Sequence, residues 1–210
     1  MILHGYWRSG AAYRTRIALE LKGLTYEQAG VDLRTGAQRS DAFMALNPQG
    51  MVPALEVDGA ILTQSPAILE WLEEAHPTPP LLPSDPLARA QVRAMAALIG
   101  CDIHPLNNLR VGKALRDTFG ADQPAVDAWA ARWIVPGFTA LETLTARHGD
   151  GWCFGDAPTL ADCYLIPQVY SARRFNVPLD AFPGVLAIDR RAAEHPAFAA
   201  AHPDRQPDAD

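Results

Sequence analysis

A serine stands at the first place where this chain could do chemistry. Ser9 lies in the run WRSGAAYR, where a short apolar strand, Ile2 to Trp7, turns into a helix. A hydroxyl at that turn sits beside unpaired helix N–H groups, whose partial positive charge favours anions. It can donate to a thiolate, and hydroxyl and helix end together lower the pKa of a bound thiol. The same hydroxyl can also be a plain helix cap. Both readings stand on spacing, which by itself favours the cap. Arg8, Ser9, Gly10, Ala11 and Ala12 include no cysteine, so disulfide chemistry at this turn is excluded and any thiol must come from a ligand.

A second cluster is CDIHPLNNLR, Cys101 to Arg110. On a helix, His104 and Asn108 are neighbours at i,i+4, and Asn107 and Arg110 at i,i+3. Polar residues this dense in an Ala/Leu-rich stretch line a cleft or cover a solvated face. No second histidine or acidic partner has ligand spacing, so a metal site is not expected. Separated arginines complete the set: Arg8 beside Ser9, Arg110 in the cluster, and the Arg173-Arg174 pair. A substrate with two carboxylate or enolate groups needs cations held apart, and Arg offers bidentate geometry. Arg14 and Arg16 read equally as solvent-facing positions or structural pairs.

The element that must position a ligand is Gln49 to Glu74, QGMVPALEVDGAILTQSPAILEWLEE. Val52 to Val57 is a short strand, Asp58-Gly59 a two-residue hairpin turn with φ > 0 at both positions, and Ala60 to Thr63 the return. Ser65-Pro66 then reads as an N-cap followed by Pro at N1, with Ile68, Leu69 and Leu72 supplying the helical period. The resulting helix end near Gln64 and Ser65 suits a carboxylate. Pro53 at a strand start implies an edge or a bend. A trans Pro53 makes an ordinary edge, whereas a cis one turns the Val52 N–H and C=O toward an extended ligand.

Around this core the order is strand, helix, strand, helix, strand, strand, helix. Gly23 is the expected end of the first long helix, Leu24 to Leu33 supplies the second strand, and Asp41 to Leu46 is a short helix. The βαβ unit followed by a hairpin predicts an α/β thioredoxin-like domain over residues 1–80, with a right-handed crossover. Prolines crowd His76 to Pro86, marking a stiff linker (81–86) and a domain boundary. Residues 87–210 carry only helical patterns: a long helix from Leu87 to about Leu115 bent at His104-Pro105, and a second from Pro124 to about Ala146 interrupted near Pro136. A buried helix follows, starting at Thr159 with Asp162 as its reciprocal cap, then a last helix from Val185 to Ala193. The Pro/Asp-rich tail is expected to fray.

Composition narrows the classes. A net charge of −6 without a basic stripe argues against nucleic acid. No apolar run is long enough to span a membrane, and the start lacks a signal peptide's regions. Three cysteines without metal or CxxC spacing fit a reducing cytoplasm.

Several runs resemble a known family. V-P-x-L, D-G and Q-S-x-A-I in Gln49 to Glu74 resemble the glutathione-binding half of the glutathione transferase fold. YWRSGAAYRTRIALELKG, IHPLNN and FGDAPTLADCYLIPQVYSARRFNV extend the likeness over nearly the whole chain, to the zeta class. That class includes maleylacetoacetate isomerase and glutathione-dependent maleylpyruvate isomerase. The resemblance implies glutathione as cofactor and cis–trans isomerisation of a maleyl keto-diacid in the breakdown of aromatic compounds. It implies a thioredoxin-like domain followed by an all-helical one, and a homodimer. Position by position, it implies Ser9 on the thiolate, a cis Pro53 with the Val52 backbone on the cysteinyl part, and Gln64 with Ser65 on the γ-glutamyl carboxylate. Arg8, Arg110 and Arg174 would hold the diacid, His104 and Asn108 would border the site, and Asp102 would reach glutathione across the dimer. Gly10 and Ala11 stand where the fuller motif has Ser and Cys, which removes a hydroxyl and a thiol. Two other classes share these residues: a transferase that conjugates or dehalogenates small electrophilic acids, and a non-catalytic glutathione-binding protein.

Overall fold

In the computed structural model, which describes residues 1–209, the N-terminal apolar alternation becomes β1 (Ile2–Gly5). It pairs in parallel with β2 (Glu27–Gly30) and antiparallel with β3 (Ala54–Val57), which pairs antiparallel with β4 (Ala60–Thr63). The sheet order is β2-β1-β3-β4. The β3–β4 turn is the expected one, with Asp58 at φ 48° and Gly59 at φ 79°. Between β1 and β2 runs α1 (Gly10–Leu21), buried from Ala12 to Leu19. Its end is a Schellman turn: Gly23 at φ 64° sends its N–H to Glu20 O, and Leu24 N–H reaches Leu19 O. The short α2 (Asp41–Leu46) and α3 (Ser65–Ala75) complete the pattern, and α3 buries Ile68, Leu69 and Leu72.

Residues after Leu81 build a helical unit, Leu82–Ala192. Its helices are α4 (Pro86–Ala97), α5 (Leu109–Phe119), α6 (Gln123–His148), α7 (Leu160–Arg174) and most of α8 (Pro183–Glu194). The centre is α7, buried from Leu160 to Val169, with α4 packed along it. Its start is the expected reciprocal cap: Asp162 Oδ2 accepts from both the N–H and the hydroxyl of Thr159, each at 2.8 Å. Asp162 Oδ1 also takes Cys153 N–H at 2.8 Å. Complete burial raises the Asp162 carboxyl pKa above its usual range.

Four expectations change here. First, α6 runs without a break through Pro136. Pro136 and Arg132 lie on its exposed side, so the carbonyl that loses its donor faces water, while Ile134, Phe138 and Leu141 anchor the buried side. Second, Leu87 to Leu115 is not one bent helix: α4 passes into a π-helical turn, Leu98–Ile103, then a 3₁₀ turn, His104–Asn107, before α5 begins. Gly137 makes room for that turn, since a Cβ there would stand 2.3 Å from Ile103 Cδ1. Third, contacts group the chain from Ala193 onward with Met1–Leu81 and not with Leu82–Ala192. Fourth, that tail does not fray through Ala209. The helix α9 (Pro196–Ala201) packs on α1, and Gln206 is buried with its Nε2 donating to Ala200 O at 2.9 Å and His202 O at 2.6 Å.

The proline-dense segment is likewise tied down. Lys22 at the end of α1 has a fully buried side chain, and its Nζ meets Glu73 Oε2 at 2.9 Å, His76 O at 2.6 Å and Pro79 O at 3.0 Å. Glu73 Oε2 also accepts Leu81 N–H at 2.9 Å. The three ammonium protons thus have three acceptors, which is the condition under which a buried charge is tolerated. Leu81 and Leu82 are buried, so the prolines carry the chain over the surface between anchored points.

Candidate active site

Ser9 is the N-cap of α1. Its backbone is held on both sides, N–H to Tyr6 O at 2.9 Å and C=O from Tyr13 N–H at 2.8 Å. The hydroxyl oxygen accepts Ala12 N–H at 3.3 Å. Among the described residues the hydroxyl proton has no acceptor. The two readings of Ser9 are therefore compatible: one lone pair caps the helix and the O–H can still donate. Arg8 sits with its guanidinium carbon 5.3 Å from the centre of the Trp7 ring, a cation–π contact that restrains it beside the turn.

Val52–Pro53 is a cis peptide bond. It lies just ahead of β3, outside the strand ladder. Across β4 comes Gln64, the residue before α3, at φ 66° and ψ 108°. Gln64, not Ser65, is the cap position; Ser65 is the first helical residue, and it is buried. A non-glycine residue at such a φ costs about 1–3 kcal/mol, and such residues cluster at binding sites. The Gln64 amide donates to Gln49 Oε1, a partner that spacing does not reveal. Among the described residues the Ser65 hydroxyl has no hydrogen-bond partner. A polar group in that position at a helix N-terminus is what a carboxylate requires.

In the helical unit the polar cluster does not have α-helical spacing, so the i,i+4 pairing of His104 with Asn108 does not hold. Asp102 is exposed in the π-helical turn, His104 opens the 3₁₀ turn half-buried, and Asn107 is buried. Trp129 Nε1 donates to Leu106 O at 2.7 Å and fastens the turn to α6. Asn108 caps α5, its Oδ1 accepting Arg110 N–H at 3.1 Å. Arg110 is thus an exposed cation in the first turn of a helix, where the dipole disfavours positive charge. Of the paired arginines, Arg173 is bound to Asp189 (Nη2 to Oδ2, 2.5 Å) and Arg174 is exposed in the last turn of α7. Arg14 and Arg16 are buried and do not face solvent.

The described residues contain no group of three or more histidine, cysteine or acidic side chains able to hold a metal. Cys101 is exposed, while Cys153 and Cys163 are buried, and none is bridged. Burial pushes the Cys153 thiol well up, so it is inert.

A sheet of this order, a cis proline before β3 and a serine-capped α1 define a class. Two family models match: the glutathione S-transferase N-terminal domain over residues 8–75 and the C-terminal domain over residues 127–200. The chain belongs to the zeta-class glutathione S-transferase family. It is 55% identical over 211 residues to a maleylacetoacetate isomerase of Pseudomonas aeruginosa, covering 99% of this chain and 98% of that one. A solved holo structure of a bacterial zeta-class maleylpyruvate isomerase superposes with a TM-score of 0.98 at 53% identity, covering all of both chains. A maleylacetoacetate isomerase from Anaeromyxobacter dehalogenans, solved with dicarboxyethyl glutathione and citrate in its active site, gives a TM-score of 0.90 at 46% identity. That match covers 100% of this chain and 93% of the other.

Proposed function

We propose that this protein is a glutathione-dependent cis–trans isomerase of a maleyl keto-diacid, maleylacetoacetate or maleylpyruvate. The observation that carries the reading is full-length likeness to enzymes of both names, on a chain whose Ser9 turn keeps a free hydroxyl proton and no cysteine. Glutathione, when bound, supplies the thiol nucleophile that makes the C=C bond transiently single, and it is regenerated each cycle.

The residues present fit that tripeptide. The Ser9 hydroxyl donates to the sulfur and, with the N-terminus of α1, keeps it ionised. The Val52 backbone pairs with the cysteinyl portion beside cis Pro53. The Ser65 hydroxyl and Gln64 take the γ-glutamyl carboxylate at the start of α3. Arg8, Arg110 and Arg174 bind the diacid's carboxylates and the charge that develops on its keto group, with His104 and Asn108 at the border. Exposed Asp102 reaches glutathione from a partner subunit in a homodimer. The unbridged cysteines suit a reducing cytoplasm as its place of work. No helix among the described residues is long and apolar enough to cross a membrane.

The test is to follow both maleyl substrates by proton NMR with glutathione at a small fraction of substrate. Conversion to the fumaryl isomer with glutathione undiminished is expected. Accumulation of a stoichiometric glutathione conjugate would make it a conjugating transferase, and binding without turnover a non-catalytic protein.

A further inference from the structure

The peptide leading into Ser9 is held by the far end of the chain. Between the end of β1 at Gly5 and the start of α1 at Gly10, the backbone belongs to no ladder. Trp7, two residues before Ser9, donates its N–H to Asp208 Oδ2 at 2.9 Å. Its C=O accepts from Arg16 Nη2 at 2.8 Å, and the same guanidinium donates through Nε to Ala201 O at 3.0 Å. Both backbone polar groups of Trp7 therefore end on charged side chains, one of them 201 positions away.

The tail that brings Asp208 there is itself anchored. Gln206 is buried, bonded to the carbonyls of Ala200 and His202, and accepts from Gln28 on β2. Ala209 packs against the cluster of Tyr6, Trp7, Val31, Phe43 and Val52. Asp208 lies against Gly30, where a Cβ would stand 3.4 Å from Asp208 Cβ, in ordinary contact. Water could satisfy a lone N–H beside the surface as well as a carboxylate does. A tail fixed at Gln206, Asp208 and Ala209, with a charged acceptor on Trp7, instead fixes where Ser9 stands.

We infer that Asp208 and Arg16 are positioning residues that aim the Ser9 hydroxyl at the bound thiol, with the C-terminal tail as their strap. This rests on the assignment of Ser9 to the thiol. The charge and the position of Asp208 act in opposite senses. A carboxylate near the turn disfavours a thiolate, so removing its charge alone lowers the thiol pKa or leaves it unchanged. Removing the anchor lets Ser9 shift, which weakens its donation and raises that pKa.

The experiment titrates bound glutathione by thiolate absorbance in wild type, D208A, D208N, S9A and a chain ending at Pro207, with urea unfolding and steady-state rates alongside. D208A and the shortened chain should raise the thiol pKa. Their kcat should fall about tenfold with KM for glutathione within about twofold, well inside what a misplacement of about 1 Å costs. D208N keeps an acceptor for Trp7 N–H, so it should recover kcat with a thiol pKa at or below wild type. A purely structural role does not predict opposite pKa shifts in D208A and D208N. The inference is overturned if D208A, or the shortened chain should D208A not fold, titrates at or below wild type while S9A titrates above it. If S9A itself titrates with wild type, the Ser9 assignment fails and the strap's purpose with it.

Discussion

Replacing Ser9 by alanine removes two interactions that can be read separately. The first is the cap: Oγ accepts Ala12 N–H at 3.3 Å, a long contact. Its loss should cost about 0.5–1 kcal/mol of stability, the lower part of the range for N-caps. The second is the bond from the hydroxyl proton to the bound thiolate, which the folded chain leaves free to form. One such charge-assisted bond contributes roughly 1.5–3 kcal/mol, or about ten- to a hundredfold in rate. Glutathione affinity should change less than the rate, since Gln64, Ser65 and the Val52 backbone hold the rest of the tripeptide. The N-terminus of α1 still favours a thiolate, so the variant should be impaired and not dead. Ser9→Gly sharpens the test: glycine costs only a few tenths of a kcal/mol as a cap, yet it lacks the hydroxyl. It should be nearly as stable as wild type and as slow as Ser9→Ala. Urea midpoints, isomerisation rates and the pH titration of the bound thiol measure the three quantities. If the thiol titrates identically in wild type and Ser9→Ala, and the rate follows stability alone, Ser9 is only a cap.

Arg110→Ala should raise the apparent KM for the diacid with glutathione affinity almost unchanged, as calorimetry would register; an equal loss of glutathione affinity would refute its assignment to the substrate. Glu73→Ala strands the buried Lys22 ammonium and should cost about 3–5 kcal/mol in urea unfolding, whereas a Lys22→Met/Glu73→Leu double variant should recover most of it. A single-variant loss under about 1 kcal/mol would mean that water reaches the pair. Asp162, its pKa raised by burial above 3.8, takes up its proton at a higher pH in the folded chain than in the unfolded one. Its stabilising contribution is therefore complete below 3.8 and lost as pH rises through the folded value. Subtracting the urea midpoints of Asp162→Asn from those of wild type across that window should leave this falling slope; a flat difference would refute it.

The features legible in the residues were those whose energetics close within a turn. Asp58-Gly59 adopts φ > 0 at both positions, the backbone of a type I′ loop, whose twist matches that of the two strands it joins. Gly23 terminates α1, and Asp162 caps α7 from three residues away, for equally local reasons. Ser9 at the strand-to-helix turn was readable too, although spacing could not say that its proton stays free. Other features were decided only by partners distant in the chain. Pro136 stays inside α6 because its neighbours Ile134 and Phe138 are packed, while the π and 3₁₀ turns at 98–107 follow the space left at Gly137. Arg16 is buried because Trp7 and Ala201 carbonyls meet it, and Lys22 because Glu73, His76 and Pro79 do. The tail reads as a polar, fraying end until Gln206 and Asp208 find Gln28 and Trp7 across the sheet. Local propensity sets which turns and helix ends the chain can make; which charges it can bury depends on acceptors that only the folded chain brings within reach.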